Sequence, residues 1–199
     1  MTRIIAGSAR GRRLTIPPGR DTRPTADRTR EALLSSIQSL HGSLAGARLL
    51  DLYAGSGAVG LEALSRGAEH VLLVERDRAA LSAIRSNIAA LGLPGAEVSG
   101  GAVERLLAGA NPRERYDVVF LDPPYAMPAE DLAAVLVDLL HGDWLADQAL
   151  VVVERATRND PWVWPAGFHP DRSRAYGEGS LWYGHASVEP TQFPDSRER

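Results

Sequence analysis

Between Arg48 and Glu75 the order of residues leaves few folds open. Arg48–Leu52 is a short apolar run of strand length, and it leads straight into Tyr53-Ala54-Gly55-Ser56-Gly57-Ala58-Val59-Gly60. A helical stretch follows to Arg66, Gly67 stops it, and Val71–Glu75 reads as a second strand. In a strand–turn–helix–strand unit each glycine has its own task. Gly55 permits the tight turn, Gly57 lets a ligand come close to the backbone, and Gly60 lets the helix pack closely on the strand. Glu75 stands twenty residues after Gly55, where a carboxylate at a strand end can accept hydrogen bonds from both ribose hydroxyls. This unit predicts a Rossmann-like α/β fold that holds an adenosine-containing ligand, either a dinucleotide or S-adenosylmethionine (SAM).

The rest of the chain extends the same alternation. Arg78–Leu91 carries Leu81, Ile84, Ile88 and Leu91 at helical spacing before Gly92 and Pro94. Ala96–Ser99 reads as a third strand, Val103–Ala108 as a short helix, Tyr116–Leu121 as a fourth strand, Pro128–Leu140 as a helix and Ala149–Glu154 as a continuously apolar fifth strand. Arg155–Pro170 reads as a long irregular loop or edge strand, with Trp162 and Trp164 covering the sheet rather than stacking on bases. Arg172–Tyr176 and Leu181–His185 flank Gly177-Glu178-Gly179 as a closing antiparallel hairpin. At the other end, Arg3–Ala6 and Arg13–Ile16 flank a Gly/Ser connector and read as a hairpin. After it Thr25 can cap a helix whose apolar face is Leu33, Leu34, Ile37 and Leu40. The organisation expected is therefore a basic hairpin over residues 1–20, an α/β domain over 21–186 and a disordered polar tail over 187–199.

A second feature narrows the chemistry. The apolar run Val118–Leu121 ends abruptly at Asp122-Pro123-Pro124-Tyr125. Two prolines cannot continue a sheet, and each pushes the residue before it into extended geometry. Asp122 and the Pro123 carbonyl are thus held at the carboxyl end of a strand, where open α/β sheets bind their ligands. An exocyclic NH2 of a nucleobase offers two N–H donors and a π-face. Asp122 and the Pro123 C=O can each accept one, and Tyr125 can stack on the ring.

Composition sets outer limits. Its 199 residues favour one domain with a sizeable core. With no cysteine, the chain has no disulfide, thiolate metal site or Cys nucleophile. His41, His70, His141, His169 and His185 are scattered without metal-ligand spacing, so no metal is expected. No apolar run is long enough for a membrane span or a secretory signal, which leads us to expect a cytoplasmic protein. All basic residues are arginine, and eight of the twenty-two fall in residues 1–30 against only Asp21 and Asp27. A basic N-terminal segment on an acidic body is the electrostatic footprint of an anionic polymer partner.

Taken together, the motifs resemble one family. Arg3-Ile4-Ile5-x-Gly7, Arg23-Pro24-Thr25-x-Asp27-Arg28-x-Arg30-Glu31, the run from Asp51 through Gly55, Gly57 and Gly60 to Arg66, Asp122-Pro123-Pro124-Tyr125 and Tyr176-Gly177 are similar to the RsmD family of bacterial 16S ribosomal RNA guanine-N2 methyltransferases. The resemblance implies a class I SAM-dependent methyltransferase fold: a mostly parallel seven-stranded sheet with an antiparallel C-terminal hairpin strand, plus the N-terminal β-hairpin. It implies SAM as cofactor, ribosomal RNA or the small ribosomal subunit as partner, and a monomer. Cofactor contacts would come from Arg23, Thr25, Asp51, Tyr53, Gly55, Gly57, Glu75, Arg76, Ala102 and Asp122. Asp122, Pro123 and Tyr125 would receive the guanine amine. Arg3, Arg10, Arg12, Arg13, Arg28 and Arg30 would grip the RNA backbone. Such enzymes often read the adenine amine with Asp or Asn near the end of the third strand, where this chain has Gly101, so backbone near Ala102 would do that work. Three rivals remain at this stage: a DNA adenine-N6 methyltransferase, a non-catalytic SAM-fold RNA-binding or ribosome assembly factor, and a nicotinamide oxidoreductase.

Overall fold

The computed structural model describes residues 2–17, 24–109, 111–112, 114–158 and 160–187, with the backbone alone for 24–26. In chain order the elements are β1 (Thr2–Arg3), β2 (Arg13–Leu14), α1 (Pro24–His41), β3 (Arg48–Leu52), α2 (Ala58–Ser65), β4 (His70–Glu75), α3 (Arg78–Leu91), β5 (Ala96–Gly100), α4 (Val103–Leu107), β6 (Tyr116–Leu121), α5 (Ala129–His141), β7 (Leu145–Ala156), β8 (Phe168–Tyr176) and β9 (Gly179–Ala186). Strands β3 to β9 form one sheet in the order β5-β4-β3-β6-β7-β9-β8. The pairs from β5 to β7 are parallel, and β9 runs antiparallel to both β7 and β8. The α/β architecture, the seven strands and the closing hairpin are those expected from the sequence.

Both faces of this sheet are covered, which is why its central strands read as unbroken apolar runs. On one face Leu49, Val71, Leu73, Val118, Phe120, Leu150 and Val152 pack under α1, α2 and α3 through Leu33, Leu34, Ile37, Leu61 and Ile84. On the other, Leu50, Leu52, Leu72, Val74, Val119, Leu121, Val151 and Val153 pack under α4 and α5 through Val103, Leu107, Leu132, Val135 and Leu136. The strand order reverses direction at β3 and β6, so the crevice at a topological switch point opens beside their carboxyl ends.

Some boundaries moved. Strand β7 runs from Leu145 to Ala156, longer at both ends than the apolar run that announced it. Early in β7 only buried Leu145 pairs with β6, opposite Tyr116, and the exposed Asp147 and Gln148 lie in a register shift before Leu150 pairs with Val118; its late residues pair with β9 as far as Ala156–Gly179. β8 begins at Phe168, inside the stretch read as a loop or edge strand, and it is the edge strand of the sheet. Trp162 is buried, and Trp164 packs against the same cluster and tilts against Phe168, so both tryptophans do cover the sheet. Helix α1 already includes Pro24 and Thr25. Thr25 therefore lies in the first turn rather than at its cap, an arrangement in which Pro24 suits the first helical position. Arg23 and the tail over 188–199 lie outside the described residues.

The N-terminal hairpin is pinned to the α/β body. Its two strands pair Thr2 with Leu14 and Arg3 with Arg13. Glu62 of α2, wholly buried, accepts the Ile5 N–H at 2.7 Å and the Ala6 N–H at 2.9 Å. Ser65 donates to the Ala6 carbonyl at 2.6 Å and accepts the Ala9 N–H at 2.9 Å. Gly7 sits at φ 81° so close to α2 that a Cβ there would lie 1.8 Å from the Ser65 carbonyl oxygen. Asn87 of α3 grips the far strand, accepting the Thr15 N–H at 2.7 Å and donating to the Thr15 carbonyl at 2.9 Å.

Candidate active site

The glycine turn after β3 is built as its composition requires. Gly57 has φ 75°, a left-handed conformation that glycine adopts without strain. Gly60 is needed for space, because a Cβ there would lie 2.6 Å from Val71 Cγ1 and 2.7 Å from Leu73 Cδ2. Tyr53 is the exception, a non-glycine residue at φ 63°. Bulky residues occupy that region rarely and at a cost that surrounding structure must hold in place, most often at functional sites. Here the Tyr53 hydroxyl reaches Glu104 Oε1 at 3.4 Å and Met127 Sδ at 3.8 Å, so the side chain spans from the end of β3 to the opposite wall.

Beneath the turn lie two carboxylates. Asp51 is 1 % exposed and accepts the Gly60 N–H at 3.0 Å, tying the first turn of α2 to β3. Burial pushes its pKa up to about 7; the Gly60 hydrogen bond opposes this, and the charges of Asp122 and Glu75 add to it. Glu75 ends β4. Its Oε2 accepts the Gly55 N–H at 2.8 Å, and its Oε1 accepts the N–H groups of Arg76 and Asp77 at 2.8 and 2.9 Å. Three backbone donors thus fix the orientation of Glu75 and leave one of its four acceptor directions for a ligand.

A cleft of about 410 Å³ opens across these strand ends, a size within the usual range for small-molecule sites. Tyr53, Glu75, Arg76 and Asp122 line it, as do Asp77, Gly101, Val103, Glu104, Pro124 and Met127. Pro17 lines it too, so the chain leaving the hairpin reaches its rim. Four carboxylates against one guanidinium make this a cleft for a cationic ligand. A dinucleotide would bring a pyrophosphate into that field, whereas SAM carries a sulfonium charge, so the residues present fit SAM.

Asp122 is exposed, and its backbone N–H still reaches the Leu52 carbonyl at 3.4 Å, so it leaves β6 within the sheet's ladder. Pro123 is buried, the Pro124 carbonyl accepts the Met127 N–H at 2.8 Å, and Tyr125 projects at 58 % exposure. The tight Pro124–Met127 turn separates the first cleft from a second, larger one, and Met127 belongs to both walls.

The structure brings Tyr53, Glu75, Arg76 and Asp122 to one cleft, with Asp51, Gly55 and Gly57 buried below or behind its surface. Ala102 is not on the lining, although its neighbours Gly101 and Val103 are. Of the arginines, Arg3, Arg10, Arg12, Arg13 and Arg28 are exposed. Arg30 is not. It is 6 % exposed and donates to Thr2 Oγ1 at 3.1 Å, the Arg3 carbonyl at 2.5 Å and Asp27 Oδ1 at 3.0 Å. A guanidinium spent on locking the hairpin to α1 cannot reach a phosphate, so Arg30 leaves the RNA-facing set.

One carboxylate escaped the reading of the residues. Glu154 sits on β7, and the β6–β7 register pairs Phe120 with Val152, so Asp122 and Glu154 fall side by side on the same sheet face. Burial and then the Asp122 charge push the Glu154 pKa up to about 8. Gly179 makes the space, because a Cβ there would lie 2.9 Å from Glu154 Oε1. In sequence Glu154 closes an apolar strand, and an acid ending a central parallel strand is the signal that could have found it.

Comparisons agree with this geometry. Residues 2–185 match the family model described as "Conserved hypothetical protein 95". The Escherichia coli K12 protein named ribosomal RNA small subunit methyltransferase D is 38 % identical over 178 residues, covering 88 % of this chain and 85 % of that one. The chain belongs to the RsmD family. Another RsmD protein, from Haemophilus influenzae, is 36 % identical over 166 residues, 82 % of each chain. The solved structure of yhhF from Escherichia coli superposes with a TM-score of 0.82 at 34 % identity, over 94 % of this chain and 98 % of that one. The family is one of SAM-dependent ribosomal RNA methyltransferases, and the sheet, glycine turn and acid-lined cleft of this RsmD-family chain are those of that fold.

Proposed function

We propose that this chain methylates the exocyclic N2 amine of a guanine in small-subunit ribosomal RNA. The observation that carries the reading is the placement of Asp122 and Pro124 on the wall of the same cleft as Glu75, with Tyr125 of the same motif on the adjoining cleft. Bound in that cleft, SAM supplies an electrophilic methyl group on a sulfonium centre.

The chain's own residues do the rest. Glu75 and Tyr53 orient the nucleoside half of the ligand, and Asp51 adds negative charge beneath the glycine turn. At the cleft mouth Asp122 and the Pro123 carbonyl accept the two N–H groups of the target amine, and Tyr125 supports the ring. The amine lone pair conjugates with the purine, so these two acceptors must hold the nitrogen part-way to pyramidal. Such positioning can remove about 7–11 kcal/mol of barrier. Positive charge growing on the nitrogen is stabilised by the Asp122 carboxylate. Burial and then the Asp122 charge push the Glu154 pKa up to about 8, so at neutral pH the neutral Glu154 carboxyl is favoured beside Asp122. The excess proton leaves the nitrogen after transfer. The base must be unstacked first, which favours a loop, and the exposed arginines of the hairpin supply phosphate contacts.

The test is methyl transfer to small ribosomal subunits that lack the modification, followed by nucleoside mass spectrometry. N2-methylguanosine is expected. Label in adenine, or in DNA instead of RNA, would sink the assignment.

A further inference from the structure

The second cleft, about 780 Å³, lies on the far side of the Pro124–Met127 turn. The two large apolar side chains most open to solvent among the described residues, Tyr125 at 58 % and Val163 at 79 % exposure, both line it. Arg155, Arg158 and Trp162 line it too. Two exposed apolar side chains meeting in one concavity beside a catalytic motif need an explanation, because solitary exposure is ordinary and convergence is not.

Hydrogen bonding points the same way. The Arg155 guanidinium lies 5.7 Å from the centroid of the Trp162 ring. Its buried Nη1 has no hydrogen-bond partner among the described residues, and neither does Nε1 of Trp162, a residue 7 % exposed. Both atoms are closed off from solvent, so an entering group rich in acceptor oxygens would be met at the cleft surface by the exposed Arg158 and the rest of the Arg155 guanidinium. The charge balance limits what that group can be. Glu130 and Asp160 also line the cleft and offset Arg155 and Arg158. A near-neutral cleft with apolar ridges suits a single-stranded nucleotide, one phosphate and one base, better than the dense phosphates of a duplex.

We infer that this cleft seats the nucleotide adjacent to the target guanine, its base against Tyr125 and Val163 and its phosphate at Arg155 and Arg158. This rests on the proposed transfer to RNA and deepens it. The enzyme then reads a guanine together with its unstacked neighbour, and Tyr125 is the wall they share. Trp162, 7 % exposed, remains cover for the sheet.

The experiment uses fluorescence anisotropy with a twelve-nucleotide single-stranded RNA holding one guanine, and the same RNA made abasic on either side of it. Arg158→Ala and Val163→Ser are combined, both at exposed positions, and SAM affinity by calorimetry reports that the variant is folded. The wild-type chain should bind one of the abasic RNAs about tenfold more weakly than the intact one. The double variant should bind intact RNA about tenfold more weakly than wild type, ignore the abasic substitution and keep its SAM affinity within twofold. Intact-RNA affinity within twofold of wild type, or equal wild-type affinity for intact and abasic RNAs, overturns the inference. Methyl transfer to small subunits is read separately: its absence alongside intact abasic discrimination removes the transfer reading and leaves the cleft standing.

Discussion

Asp122 illustrates how a residue's chemistry follows from its position. Its carboxylate is exposed at a strand end, yet its backbone is held by Leu52 and the following prolines. Asp122→Asn keeps the shape and loses the charge. Turnover should fall 10²- to 10³-fold, the usual cost of one preorganised electrostatic contact, while SAM affinity measured by calorimetry changes little. Undiminished turnover would remove Asp122 from the mechanism. The buried carboxyls make a prediction about pH. Burial raises Asp51 from 3.8 to about 7 and Glu154 from 4.5 to about 8. In that interval the folded chain holds protons that the unfolded chain has released, so these groups favour folding at low pH and cease to do so as pH rises through 7 and 8. The melting temperature should be lower at pH 8.5 than at pH 6. Glu154→Gln, which cannot ionise, should flatten the upper part of that fall. An unchanged slope in the variant would mean that Glu154 is not the group responsible.

The elements matter through how they are tied together. Glu62 of α2 accepts two hairpin amides and a hydrogen bond from Arg66 Nε at 3.0 Å, and Arg30 Nε lies 3.9 Å from it. Removing one member of so buried a charged cluster typically costs about 3–5 kcal/mol. Glu62→Ala should therefore lower the melting temperature markedly, and hydrogen exchange at the Ile5 and Ala6 amides should lose its protection ahead of the central strands. If those amides stay protected, the hairpin is held by something other than Glu62. Asn87 binds Thr15 on one side and donates to the Ser56 carbonyl in the glycine turn at 3.0 Å on the other. The segment that carries basic residues and the turn that faces the cofactor cleft are thus fastened to the same side chain of α3.

At the scale of the molecule, charge is divided by task. The cofactor cleft is acidic, the hairpin and α1 surfaces carry exposed arginines, and no helix of the described residues is long and apolar enough to cross a membrane. If Arg3, Arg10, Arg12, Arg13 and Arg28 all meet phosphates, log K for RNA should fall against log salt with a slope of about −3.5, near 0.7 per contact on a single strand. Arg10→Gln with Arg13→Gln should reduce that slope by about 1.4 without altering SAM affinity. A slope indifferent to both changes would place the RNA elsewhere.

The local residue order of this chain was enough to determine the glycine turn, the helix that follows it, the acid at the end of β4 and the extended Asp122-Pro123-Pro124-Tyr125 exit, because each depends on φ/ψ limits and periodicity within a few residues. Long-range pairing decided what remained. Arg30 looks like another RNA contact until Thr2, Asp27 and Glu62 close around it. Glu154 looks like the end of an apolar strand until the β6–β7 register sets it beside Asp122. Both outcomes turn on burial among residues distant in sequence, and burial decides whether a charge meets solvent, a ligand or another side chain.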